Sequence, residues 1–148
     1  MPADLDLVRR LSKGDSGLAI VATTRADATV HTSLVNAGVI DDPVTRVTSV
    51  GFVARGAARK VVHMLRAGRA NVVFRNGWEW VAVEGPVRVI GPDHPAAELP
   101  PDRLPQLLRD IFIAAGGTHD DWDEFDRVMA AERRIAVLVE PARITSNP

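Results

Sequence analysis

A chain of 148 residues with 46% apolar content can bury one sizeable core and leaves no room for a separate substrate domain, so residues 1–148 are read as one domain. Eighteen basic against nineteen acidic residues give a net charge of −1, which excludes global attraction to nucleic acid or to an anionic membrane; an anion site must be local. With no cysteine there is no disulfide, thiolate metal site or thiol nucleophile, a usage that fits the reducing cytoplasm.

The opening residues Met1-Pro2-Ala3-Asp4-Leu5-Asp6 lack the basic start and apolar run of a signal peptide, and no stretch approaches a spanning length of apolar residues. The expectation is a soluble cytoplasmic protein. Leu7, Val8 and Leu11 stand at helical spacing between Asp4 and Lys13, with Gly14 as the candidate left-handed stop. Gly17 to Thr24 is a short, centrally β-branched apolar run and predicts a strand. Ala26-Asp27-Ala28 predicts a hairpin turn into a second strand. On it Val30, Thr32 and Leu34 share one face, and His31, Ser33 and Val35 the other. Asp41-Asp42-Pro43 is a turn, and Val47 to Val53 a third strand.

From Val50 to His63 the strand pattern breaks at Gly56 and resumes as a helix, about Ala57 to Ala67, closing at Gly68. Its opening turns carry Arg59, Lys60 and His63, with Arg55 just before. The free N–H groups and positive dipole end of a helix attract an anion, and these side chains add donors around the same point. Basic residues on a short helix also commonly form only its wet face. Val61, Val62 and Leu65 are its expected inward stripe.

Arg69 to Phe74 predicts a strand, Asn76-Gly77 a tight hairpin, and Trp78 to Val89 a long strand interrupted by a bend or edge at Gly85-Pro86. Trp78, Trp80, Ala82 and Glu84 share one face of it. The tryptophans suit either a platform for a planar ring or a core or subunit contact. Glu84 either pairs with a base or faces solvent. After a proline-rich surface connection, Gly91 to Pro101, the series Leu104, Leu107, Leu108, Ile111, Phe112 and Ala115 predicts a helix ended by Gly116-Gly117. Asp120 with Asp123, and Asp121 with Glu124, have the spacing of helix N-terminal caps, which suits the His119-to-Glu124 cluster better than metal binding. The helix they open carries Phe125, Val128 and Met129. Ile135 to Val139 closes the chain as a strand.

About six strands joined mostly by tight turns, without regular βαβ alternation, predict a mainly β fold, a small antiparallel barrel with rim helices. Its interior has no space for a large ligand, so a site must lie outside, where a second subunit can deepen it. Phosphate-binding and dinucleotide glycine loops, zincin motifs and nucleophile elbows are all missing. The four scattered histidines give no metal-ligand spacing.

Ala22-Thr23-Thr24, the Ser33 strand, Arg59-Lys60, Arg69-Ala70-Asn71-Val72, Gly77 to Gly85, Asp121 to Phe125 and Glu132-Arg133-Arg134 occur in an order and spacing that covers roughly Gly17 to Ser146. This pattern resembles the pyridoxamine 5′-phosphate oxidase-like split β-barrel superfamily. Within it, the pattern is most similar to the B group of actinobacterial flavin/deazaflavin oxidoreductases, which use cofactor F420. The resemblance implies an FMN-binding-like homodimer with the cofactor in two grooves at the subunit interface. It implies that Lys60 holds the cofactor phosphate, that His63 meets the tail, that Trp78 stands beside the groove and that Ser33 lies on the strand along the ring. Ala58 departs from it, standing where relatives can carry a second phosphate-binding arginine, a role left to Arg55 or Arg59. The implied activity is hydride transfer from reduced F420 to a small unsaturated or quinone-like acceptor. FMN is the alternative cofactor, and a carrier of the cofactor or of a haem-like ring the non-catalytic alternative.

Overall fold

The computed structural model describes residues 4–147. Seven strands form one sheet in the order β4-β1-β2-β3-β6-β5-β7, and a further pairing of β4 with β5 closes the first six into a barrel. They are β1 (Leu18–Thr24), β2 (Val30–Asp41), β3 (Thr48–Arg55), β4 (Arg69–Asn76), β5 (Glu79–Ile90), β6 (Arg134–Val139) and β7 (Arg143–Ser146). All pairings are antiparallel. The mainly β barrel with rim helices therefore holds. The short β7, absent from the sequence reading, lies outside the closed ring on β5.

Alternation builds the core. Val21, Val35, Val50, Phe52, Val72, Phe74, Val81, Val83, Ile135, Val137 and Val139 point into the barrel and are almost fully buried. β6 is covered on both faces, because its other face, Ala136 and Leu138, meets a second cluster. That cluster is supplied by α3 (Leu104–Ala114) through Leu107, Leu108 and Ile111, and by α4 (Trp122–Ala131) through Phe125. Asp121 caps α4 by accepting from the Glu124 N–H at 3.1 Å, as the spacing of that pair implies.

The barrel ends are plugged by α1 (Leu5–Ser12), through Val8 and Leu11, and by α2 (Arg59–Ala67). The inward residues of α2 are Val61 and Met64; Val62 and Leu65 are about half exposed, which corrects the expected stripe. Gly68 ends α2 in the left-handed conformation, φ 77°, as expected. Gly14 does not do so for α1: its φ is −80°, and the left-handed residues are Asp15 and Ser16.

β5 does not stop at Gly85-Pro86; it changes partners there. Before this point it pairs with β4 and β7, and from Val87 onward with β6. A Cβ on Gly85 would lie 1.7 Å from the backbone oxygen of Glu140, so only glycine lets the chains cross this corner. Gly85→Ala is expected to cost about 3 kcal/mol or more, read as a lower denaturation midpoint, since the obstructing atom is main chain and cannot swing aside. The hairpin loop is Gly77-Trp78, closed by the Asn76–Glu79 pair, one residue later than expected. Gly77 takes φ 62° as its first residue. Trp78 is consequently at the tip and not on the strand. Among the described residues no helix is long and apolar enough to cross a membrane.

Candidate anion and cofactor site

The end of β3, the tight turn at Gly56 and the start of α2 form a corner rich in donors. The N-cap residue is Ala58, whose side chain cannot cap the helix. Val61 and Val62 donate back to the Ala58 carbonyl, whereas the N–H groups of Arg59 and Lys60 find no acceptor among the described residues. Two free amides therefore point out of a helix end bearing positive partial charge, flanked by cationic side chains.

Those side chains fall into two groups. Lys60 is half-buried, and burial first, then the neighbouring Arg134 charge, hold its ammonium below the usual lysine range. Arg134 opens β6 and stands in register opposite Arg55 on β3. Glu132 pairs with both, at 3.0 Å from Arg134 and 3.6 Å from Arg55. The second group runs along α2, where Arg59, His63 and Arg66 follow at i, i+4 and i+7. The His63 ring centroid lies 5.4 Å from that of His31 on β2. Burial, His31, Arg25, Arg66 and Arg59, in decreasing order, push the His63 pKa down. Arg66 also donates to the Thr24 carbonyl at 2.5 Å, tying α2 to the end of β1.

Ser33 lies on the barrel side of β2 with His31 and Val35, as the alternation implies. Its hydroxyl is shielded and makes no hydrogen bond among the described residues, and the same is true of His31 Nδ1. Unmade bonds at buried polar atoms are costly, so both atoms are open to a further polar partner. A third orphan, Asn71 Oδ1, is on β4, and Asn71 lines an outer cleft of about 190 Å³ with Thr24, Val30, Arg69 and Glu84. Glu84 thus faces this cleft.

Trp78 is 94% exposed. It stands at the far end of β4 from the end of α2, seven strand steps or roughly 23 Å away. With Val73, Arg75, Gly77 and Trp80 it lines an open shelf of about 600 Å³. Asn147 fixes this tip, donating to the Trp78 carbonyl at 2.9 Å and accepting from the Trp80 N–H at 3.1 Å. Among the described residues no group of three or more histidines and carboxylates converges as metal ligands do.

No protein-family model matches the sequence. Solved structures do match. A conserved hypothetical protein of Mycobacterium tuberculosis superposes with a TM-score of 0.68 at 17% identity, over 99% of this chain and 84% of that one. A pyridoxamine 5′-phosphate oxidase-related, FMN-binding protein of Nostoc punctiforme gives 0.63 at 13%, over 95% and 78%. The chain has the pyridoxamine 5′-phosphate oxidase-like split-barrel fold. A structure described as an F420 reductase shares this split barrel at a TM-score of 0.61 and 13% identity, over 93% of this chain and 94% of that one.

Sequence reasoning placed Arg55, Arg59, Lys60 and His63 at one corner; the structure sets Arg55 and Lys60 with Arg134 at the start of α2 and runs Arg59 and His63 along the helix. That reasoning missed Arg134, Arg66, Arg25 and His31. Arg66 was within reach, since it continues the Arg59 and His63 spacing by one more turn. Arg134 was not, because only the β3–β6 register places it beside Arg55.

Proposed function

We propose that this chain is an F420-dependent oxidoreductase of the split-barrel type, passing a hydride to a small unsaturated or quinone-like acceptor in a groove between two copies. The observation that carries this reading is the pair of unpaired α2 amides set among Lys60, Arg55, Arg59 and Arg134. In this reading Lys60 and the amides hold the phosphate, and Arg55 takes the part of the arginine missing at Ala58. The Arg59-His63 face of α2 leads the acidic tail away. Ser33 offers its free hydroxyl to the ring edge.

The fit is chemical. A phosphate accepts from backbone N–H groups at a helix start, and an acidic tail suits cations spaced one turn apart. Bound in its reduced form, the deazaflavin would supply the hydride, two electrons with one proton, while solvent or a nearby side chain supplies the acceptor's second proton. The protein's part is to fix the ring against the acceptor and exclude water, so no acid–base pair is required of it.

The outer sheet face suits a second copy. Ile20 pairs across with Leu34 on one side and Val73 on the other, and Val73 leads to the shelf of Trp78 and Trp80. Leu34 is 58% and Val30 60% exposed, an apolar surface that favours a partner. In such a dimer Trp78 would reach the groove from the other copy. FMN is the competing cofactor, favoured by the FMN-binding description of one structural neighbour. Stopped-flow mixing of protein carrying reduced F420 with a panel of enones and quinones tests the reading. Acceptor-dependent reoxidation is expected; binding without reoxidation would point to a carrier.

A further inference from the structure

In the β3–β6 ladder Arg55 and Arg134 are directly opposed. Like charges facing across an antiparallel pair repel, so this register needs an anion. Glu132 supplies one. Its Oε1 accepts from Arg134 Nε at 3.0 Å and lies 3.0 Å from Nη2, while Oε2 lies 3.6 Å from Arg55 Nη2. The Arg134 and Glu132 side chains are only 25% and 32% exposed, so their attraction is less screened than that of the open Arg55. Lys60, next to Arg134, pairs with no carboxylate among the described residues. Arg55 and Arg134 therefore share a single carboxylate, and with Lys60 beside Arg134 two positive charges remain unbalanced next to the two α2 amides.

The backbone around Glu132 is held by main-chain bonds of its own, while its carboxylate is held only by the two arginines. Its N–H donates to the Val128 carbonyl at 2.9 Å. The next residue, Arg133, takes φ 50°, accepts from the Gly56 N–H at 3.3 Å and pairs with Asp93 at 2.7 Å. The carboxylate alone can leave the arginines without disturbing the turn.

We propose that Glu132 is an internal counter-anion occupying the arginine pair of the phosphate site in the free protein, and that Arg134 binds the cofactor phosphate once Glu132 is displaced. This rests on the reading above, that a phosphate-bearing cofactor binds at the α2 corner. Displacement makes the site selective: a small anion must compete with a tethered carboxylate, whereas a cofactor brings its ring contacts as well. The carboxylate also keeps the opposed arginines compatible when no ligand is present.

Glu132→Gln keeps the side chain's shape and removes its charge. Titrations use FMN and F420, with riboflavin and the phosphate-free deazaflavin core as controls. The variant is expected to bind the phosphate-bearing cofactor about five- to tenfold more tightly than the wild type and the control equally well. Arg134→Gln is expected to weaken the cofactor about tenfold or more, again without moving the control, and Arg134→Lys to fall between, with unfolding midpoints showing that each variant is folded. Unchanged or weaker binding by Glu132→Gln overturns the inference. Lys60→Ala separates the two levels: if it loses affinity while Glu132→Gln gains none, only the counter-anion fails; if Lys60→Ala binds as the wild type does, the corner itself is not the site.

Discussion

Lys60→Ala lowers affinity for the phosphate-bearing cofactor about tenfold to a hundredfold and leaves the unfolding midpoint nearly unchanged. Among the described residues the lysine makes no ion pair that its loss would break, and its half-buried ammonium sits beside another cation. Nothing in the free protein is stabilised by that arrangement, whereas a bound anion would be. A charge-assisted hydrogen bond is worth about 1.5–3 kcal/mol, which sets the range. Removing a cation next to Arg134 relieves repulsion in the free protein, so a small rise in stability accompanies the loss of binding. Isothermal titration and thermal unfolding on the same preparations check both halves. Equal affinity in variant and wild type would remove Lys60 from the site.

If two copies pair as proposed, Leu34→Arg is expected to give a monomer. Leu34 lies on the outer face beside Ile20 and is more than half exposed, so the fold is expected to tolerate the change. Against a second copy an arginine is desolvated without a partner, and the dimer dissociation constant is expected to rise on the order of 100-fold. Light scattering after size exclusion gives the mass, and cofactor titration of the same sample shows whether the groove needs both copies. The expected outcome is a folded monomer that retains phosphate-dependent affinity through α2 but binds the ring weakly. A dimer that persists would move the interface to another face.

The barrel was legible because its strands alternate cleanly: Val81 and Val83 point inward and Trp80, Ala82 and Glu84 outward, as the period of two requires. The two-sided burial of β6 escaped the same logic, since a run without alternation does not say which neighbours cover each face. For α2, helical spacing could not choose between Val62 or Leu65 and Met64; the docking angle of the helix on the barrel end decides, and that is a tertiary property. Gly77 moved Trp78 from strand to tip because the loop pair starts at the residue able to take positive φ as the hairpin turns. At the site, the local cluster of bases was readable, being consecutive in sequence. Its long-range partners were not: Arg134 and Glu132 reach Arg55 only through the β3–β6 register, and His31 meets His63 only because α2 folds back over β2.

Parallel titration of the purified wild-type protein with F420 and FMN shows whether the α2 corner grips the phosphate of a flavin-type cofactor, as proposed. Followed by absorbance and fluorescence, saturable binding is predicted for F420, approaching one cofactor per chain, with weaker binding of FMN and a marked loss of affinity as salt is raised. Absence of saturable binding by either cofactor, or affinity indifferent to salt and to the phosphate, would contradict it.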